Sequence, residues 1–414
     1  MGLLSTCTRL SIILAVCVGG LAYFLYTPVP PDVDQPGIIR TLSAMFKLTR
    51  VFISAAHMLG VQENSIQLRR RIGSYMRTPP PRDRHPDMLV TDHVVDGVKV
   101  RMYRPLSAPK VSPAFLHLHG GGFCLGSVDS EDTVSRYIAR QGQIVVVSVE
   151  YRLAPEHPFP AALDDCVSAA VHVLKNGADW GIDVTKVGVG GMSAGGNLAA
   201  ATALRLLDDQ YRHLPRLRYQ VLAVPVLQGL FRDLPSYSQC EPFAKALISP
   251  NEKATFVLAY AGLDISPSTV RQVLEGRHVR PATRARMAKY VSGVQVKASS
   301  HKELTGEEVE VNESLADAYE RVFLNPLASP LFAEEDQLKQ VPAAVVVMSQ
   351  YDPLRDEALL YVRRLQHAGV PVTHHLIPNG HHISLLVRDE GPGSEACRLA
   401  YETIFQFMKD SISK

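Results

Sequence analysis

From residue 90 onward the chain alternates short, nearly continuous apolar runs with stretches in which apolar side chains recur at helical spacing. The runs are VTDHVV (90–95), VKVRMY (98–103), AFLHLHG (114–120), QIVVVSVEY (143–151), KVGVGG (186–191), YQVLAVPVL (219–227), AAVVVMSQYD (343–352) and PVTHHLIP (371–378). Most are β-branched and apolar at successive positions, the signature of strands covered on both faces of a parallel sheet. Asp96-Gly97 between the first two is a hairpin turn pair. Helical patterns such as Ala162 to Leu174, Asn197 to Leu207 and Glu357 to Ala368 lie between the later runs. The pattern predicts an α/β fold: an eight-stranded, mostly parallel sheet that begins with a hairpin and continues as strand–helix units. One interval breaks the rhythm. Gly229 to about Lys297, with Tyr237, Phe243, Phe256 and Tyr260, is too long for one crossover and reads as an inserted helical cap. The polar stretch 298–311 after it reads as an exposed loop.

The first ninety residues follow a different pattern. Leu10 to Tyr26 is an uncharged run of 17 residues, preceded by Arg9. As a helix it would be about 26 Å long, adequate for a thin bilayer such as that of the endoplasmic reticulum. A cleaved signal peptide is the rival reading, but the run is long for one and TPVPPDVDQ lacks a small-x-small cleavage site. Arg9 before the run, with Asp32 and Asp34 the first charges after it, predicts a single-pass type II anchor with the remaining mass in the lumen. Pro28 to Pro36 is a spacer, after which Ile38, Ile39, Leu42, Met45, Phe46 and Phe52 recur at helical spacing. That helix either packs on the core or rests on a membrane surface. The expected organisation is an anchor (1–27), an N-terminal helical cap segment (28–88) and a catalytic domain (89–414) carrying the cap insert.

Composition removes several function classes. In 414 residues, 43 basic and 41 acidic side chains leave a formal net charge of +2, which gives no footprint for nucleic acid. Arg69-Arg70-Arg71, the one basic run, reads as a solvated helix face. The six cysteines, Cys7 and Cys17 of them in the anchor region, are scattered without metal-ligand spacing, so free buried thiols are the expectation, with a single bridge as the alternative. Asn312-Glu313-Ser314 is a glycosylation sequon, consistent with a luminal site at Asn312.

Chemistry enters with VGVGGMSAGGNLAAATALRLL. Here Gly191-Met192-Ser193-Ala194-Gly195 sits between a strand and a helix, a sharp turn that lifts a serine hydroxyl above the sheet edge. His119-Gly120-Gly121-Gly122 follows an earlier strand, so the N–H groups of Gly121, Gly122 and Ala194 can face a developing oxyanion. A phosphate loop fails on spacing. A serine nucleophile needs a base, and the base an orienting acid. Asp352 ends a strand where a carboxylate would project from the sheet edge. Asp356 is the fallback, more naturally solvated or capping. The base belongs on the loop after the last strand, where NGHHIS offers His381 and His382. A metal site built from His374, His375, His381 and His382 is the competing idea. Adjacent strand residues point to opposite faces, so His374 and His375 cannot share one site, and no metal or cofactor is expected.

These motifs resemble the hormone-sensitive-lipase group of α/β-hydrolases, and within it the arylacetamide deacetylase-like proteins. HGGGFCLGS, VEYRLAPEHPFPAALDD, GGMSAGG, SPLFAEEDQLKQVPAAVVVMSQYDPLRDEALLYVRRLQHAGV and NGHHIS occur in family order over most of residues 90–410. The resemblance implies an α/β-hydrolase fold with a helical cap, Ser193 as nucleophile, Asp352 as acid and a C-terminal histidine as base. Aligning IPNGHHI on the family pattern puts His382 in the catalytic slot and His381 where relatives keep an aromatic. Tyr151 to Glu156 would hold the loop near the oxyanion hole. Two departures stand out: Met192 replaces the aspartate of GDSAGG, and His-His-Ile replaces the usual His-Gly-Phe or Phe-His-Gly. The expected function is membrane-anchored hydrolysis of carboxylic esters of hydrophobic or lipid-like acyl groups through an acyl-enzyme, with arylamides as a second substrate class. The alternative is a weakly active or inactive ligand-binding protein on the same fold.

Overall fold

Asp96 and Gly97 both adopt positive φ, 48° and 84°, which folds β1 (Met88–Val95) back onto β2 (Val98–Pro105) with Val95 opposite Val98. The computed structural model describes residues 2–76, 86–292, 310–388 and 391–413. After the hairpin come β3 (Ser112–Leu118), α4 (Asp132–Gly142), β4 (Val145–Glu150), α5 (Ala161–Asn176), β5 (Ile182–Met192), α6 (Ala194–Arg205) and β6 (Tyr219–Ala223). The eight strands run in the order β1-β2-β4-β3-β5-β6-β7-β8, closing with β7 (Ala343–Tyr351) and β8 (Val372–His381). Within this sheet β1–β2 and β2–β4 pair antiparallel and the remaining pairings are parallel.

The continuous apolar runs follow from burial on both faces. Along β7, Ala344, Val346 and Met348 face one cluster while Val345 and Val347 face the other. The first face is covered by α5, α6 and a helix spanning Arg355–His367. The second is covered by α4 and the C-terminal helix Glu395–Ser413. Fully burying each such valine contributes about 1.5–3 kcal/mol. β8 runs further than the sequence suggests: Tyr351 pairs with His381, so His381 ends the strand and His382 begins the following turn.

The expected insert is helical. It comprises α7 (Pro235–Leu247), α8 (Pro250–Tyr260), α9 (Pro267–Leu274) and α10 (Pro281–Met287), followed by α11 (Glu313–Phe323). Proline at the first position starts α8 and α9, where Ser249 and Ser266 cap them. Residues 293–309, which hold the end of the expected insert and nearly all of the polar loop, lie outside the described residues.

At the N-terminus α1 (Gly2–Leu25), α2 (Pro36–Met58) and α3 (Ser65–Met76) precede the sheet. Among the described residues no helix is long and apolar enough to cross a membrane, which departs from the expected span. The side chains of Leu10, Ile13 and Leu14, part of that span, lie outside the described residues. The uninterrupted described stretch 15–25 covers about 16 Å of helix, roughly half a hydrocarbon core. α2 does pack inward: Ile39 belongs to a cluster with Val33, Leu247, Ile248, Tyr351 and Ile383, while Met45 and Phe52 face outward. The basic run is not a solvated face. Arg69 pairs with Glu252 at the start of α8, and Arg70 holds Glu156 and the carbonyls of Cys124 and Ala154. Only Arg71, paired with Glu63, is exposed.

Candidate active site

Ser193 stands at the end of β5 with φ 58° and ψ −116°, immediately before α6. That conformation is strained for a residue with a side chain, and it persists because the surroundings fix it. Ser193 N–H donates to the Ala223 carbonyl at 2.9 Å, while its own carbonyl accepts from Asn197 and Val226 at 3.1 Å each. A Cβ at Gly195 would lie 2.0 Å from the Leu118 carbonyl oxygen, so α6 can approach β3 this closely only with glycine there.

The C-terminal ends of β7 and β8 bring two partners to this serine. His382 Nε2 is 3.0 Å from Ser193 Oγ, and His382 Nδ1 is 2.9 Å from Asp352 Oδ2. Asp352 is buried at 1% exposure, and its Oδ1 accepts from the Leu354 N–H at 2.9 Å. With Nδ1–H donating to the carboxylate, Nε2 presents its lone pair to the serine hydroxyl. Residues 193, 352 and 382 thus form one hydrogen-bonded line. Asp356 is elsewhere: it is buried, accepts from Ser236 N–H at 2.7 Å and pairs with Arg355, and so is neither solvated nor in the line. His381 is buried at 1% exposure, with its N–H bonded to Ser384 Oγ. Burial, outweighing the nearby Asp34, lowers its pKa to about 4. His375 lies beside Thr403, and among the described residues no group of three or more His, Cys, Asp or Glu is placed to hold a metal.

The glycine loop after β3 takes conformations open to glycine. Gly121 has φ 128° and Gly122 φ 62°, and the Gly121 carbonyl accepts from Cys124 and Leu125. A Cβ at Gly122 would come within 2.8 Å of the Phe256 ring, so α8 of the cap lies directly on this loop. Tyr260, one turn on, stacks on Phe123 at 3.8 Å. Tyr151 OH donates to the His119 carbonyl at 2.6 Å and its ring stacks on His119, tying the 151–156 segment to the loop. Ala194, at the first position of α6, is fully buried beside Ser193. The Phe256 contact with Gly122 and the N-terminal contacts, Asp34 N–H to the Asn379 carbonyl and Tyr351 OH to Asp32, join segments remote in sequence. No spacing in the sequence signals them.

Asn312 caps α11 through Oδ1, and its Nδ2, the atom a glycan would occupy, donates to Gln272 at 2.6 Å. Cys17, Cys124, Cys166, Cys240 and Cys397 are free thiols.

A family profile described as alpha/beta hydrolase fold matches residues 115–274 and 281–386. Arylacetamide deacetylase of Oryctolagus cuniculus is 34% identical over 383 residues, covering 90% of this chain and 93% of that protein. Arylacetamide deacetylase-like 3 of Homo sapiens is 30% identical, covering 87% and 86% respectively. Among solved structures, an esterase of Pyrobaculum calidifontis superposes with a TM-score of 0.57 at 28% identity over 92% of this chain and 99% of its own. An arylesterase superposes with a TM-score of 0.59 at 24% identity over 93% and 100% of the two chains, a likeness of fold. The chain belongs to the α/β-hydrolase fold family, in the group of the arylacetamide deacetylases.

Proposed function

We propose that the chain is a serine hydrolase of carboxylic esters in which Ser193, His382 and Asp352 act as nucleophile, base and orienting acid. The observation that carries this reading is the hydrogen-bonded line from Ser193 Oγ through both His382 nitrogens to Asp352, at 3.0 and 2.9 Å. In the forward step Ser193 Oγ attacks the acyl carbonyl while His382 Nε2 takes the hydroxyl proton. The imidazolium that forms is stabilised by the Asp352 carboxylate on its other nitrogen. The negative oxygen of the tetrahedral intermediate is received by the N–H groups of Gly121, Gly122 and Ala194, each donor of this kind being worth about a hundred- to a thousand-fold in rate. His382 returns its proton to the leaving alcohol or arylamine, and a water activated by the same histidine releases the acid from the acyl-serine.

The names of the relatives, deacetylases and esterases, support an acyl group carried on an alcohol or an arylamine. The apolar cap favours hydrophobic substrates. Membrane attachment through residues 1–27, with a luminal catalytic domain, belongs to this reading as well. It is supported by the charge order around the apolar run and by exposed Val16, Val18, Leu21 and Phe24 on α1. Met192 contributes no proton transfer in this scheme.

A fluorophosphonate probe tests the reading. The wild-type chain should be labelled and hydrolyse aryl esters, and Ser193→Ala should do neither. A folded wild-type chain that resists the probe would leave the ligand-binding alternative standing.

A further inference from the structure

The oxyanion loop is fastened by a charged side chain that the mechanism above does not use. Gly120, immediately before the two expected donors, gives its N–H to Glu131 Oε1 at 2.7 Å. Glu131 closes a short 3-10 turn just ahead of α4 and is 7% exposed. Its other oxygen is 3.2 Å from His117 Nε2, and His117 Nδ1 is 2.8 Å from Ser135 Oγ on α4. A chain of buried polar contacts therefore runs from α4 through the C-terminal end of β3 into the glycine loop. Burial alone would push the Glu131 carboxyl up, but His117, His119 and the Gly120 N–H together hold it below the usual carboxylate range. It accepts the Gly120 hydrogen bond as a carboxylate, and bonds of that kind are about twice as strong as neutral ones.

The loop needs such a fastening. Three consecutive glycines have the largest conformational freedom a chain can have, and fixing one residue costs about 1–2 kcal/mol. Donors that wander cost rate, because oxyanion stabilisation depends on N–H groups already aimed where the charge develops. The neighbouring anchors act on carbonyls: Tyr151 OH on His119, and the Cys124 and Leu125 N–H groups on Gly121. Glu131 acts on an N–H one residue from the donors.

We propose that Glu131 is the positioning residue of the oxyanion hole, orienting the Gly120 peptide so that the Gly121 and Gly122 N–H groups converge on the tetrahedral intermediate. The proposal rests on the serine-hydrolase reading of Ser193. It concerns transition-state stabilisation and leaves ground-state binding alone, so kcat and KM should separate.

The test compares the full-length wild type, Glu131→Ala and Glu131→Gln for ester turnover and for inhibition by an aryl trifluoromethyl ketone, whose serine adduct carries an oxyanion. In Glu131→Ala, kcat should fall about 10- to 100-fold with KM changed less than about 2-fold, and ketone affinity should fall in step with kcat. Glu131→Gln keeps an acceptor for Gly120 and should stay within about 5-fold of wild type on both readouts. A folded Glu131→Ala with wild-type kcat, or one whose kcat falls while ketone affinity holds, overturns the proposal. If Glu131→Ala does not fold, the glutamine variant decides: near wild-type kcat and ketone affinity support the acceptor role, and a folded Glu131→Gln impaired about 100-fold overturns it. A wild type without turnover or probe labelling would instead overturn the hydrolase reading, so the two failures are distinguishable.

Discussion

At the residue scale, two adjacent histidines have opposite surroundings. His382 is partly exposed and bonded on both ring nitrogens to Ser193 and Asp352, whereas His381 is buried at the end of β8. If His382 is the base, His382→Ala should reduce kcat by about a million-fold, as loss of a triad member does elsewhere. His381→Phe fills a similar volume and should keep kcat within about 10-fold. The opposite ranking in steady-state assays would move the base by one residue. His381 also gives a stability signature. Its folded-state pKa of about 4, set chiefly by burial, lies below the unfolded value near 6.5, so in acid the unfolded chain binds the extra proton. The stabilisation is fully present above about pH 6.5 and is lost as pH falls toward about 4, by up to about 3 kcal/mol. Urea midpoints of wild type at about pH 7 and about pH 4 should therefore differ more than those of His381→Phe.

Among the elements, β8 and the helices around the mouth of the site show where sequence patterns stop being informative. Strands such as β4 and β7 were legible because burial on both faces demands apolar residues at every position. The serine turn was legible because Gly195 and its neighbours have no substitute at 2.0 Å from the Leu118 carbonyl. The sequence points to a loop for His381, since Asn379-Gly380 reads as a turn, although the strand continues to residue 381. Arg69 and Arg70 looked solvated because their partners, Glu252 and the 124–156 region, are remote in sequence. Glu252 is a junction: Arg50 from α2 and Arg69 from α3 both reach it, and its side chain completes the capping box of α8 with Ser249. Because α8 carries Phe256 onto Gly122, the junction also bears on the glycine loop after β3. Glu252→Ala should leave two arginines without their carboxylate and cost about 1–3 kcal/mol. Amide hydrogen exchange should quicken across residues 250–260 well before it changes in the central strands.

Across the whole molecule, the N-terminal segment has two different environments. Residues 28–58 are structural partners of the segments that carry Asp352 and His382: the Asp34 N–H donates to the Asn379 carbonyl, Tyr351 OH donates to Asp32, and Ile39 packs in one cluster with Tyr351 and Ile383. α1 has a different environment, with Val16, Val18, Leu21 and Phe24 exposed. Its described links to α2 include the Lys47 ammonium, which donates to the Phe24 carbonyl and to that of Tyr26 just past the helix, at 2.8 and 2.7 Å, and lies over the Phe24 ring. Exposed salt- and hydrogen-bond links of this kind contribute little to stability, about 0–1 kcal/mol. If α1 anchors the chain, removing residues 2–25, which spares the buried Thr27–Ser43 hydrogen bond, should therefore leave kcat on a short, soluble aryl ester unchanged while moving the protein out of the membrane fraction. Extending the deletion to residue 58 removes the α2 packing and the Asp34 bond beside His382. Melting temperature and kcat should then fall together. If the shorter deletion stayed with membranes, attachment would have to be assigned to the outward face of α2, where Met45, Leu48, Val51 and Phe52 are exposed, and the anchor reading of residues 1–27 would be abandoned.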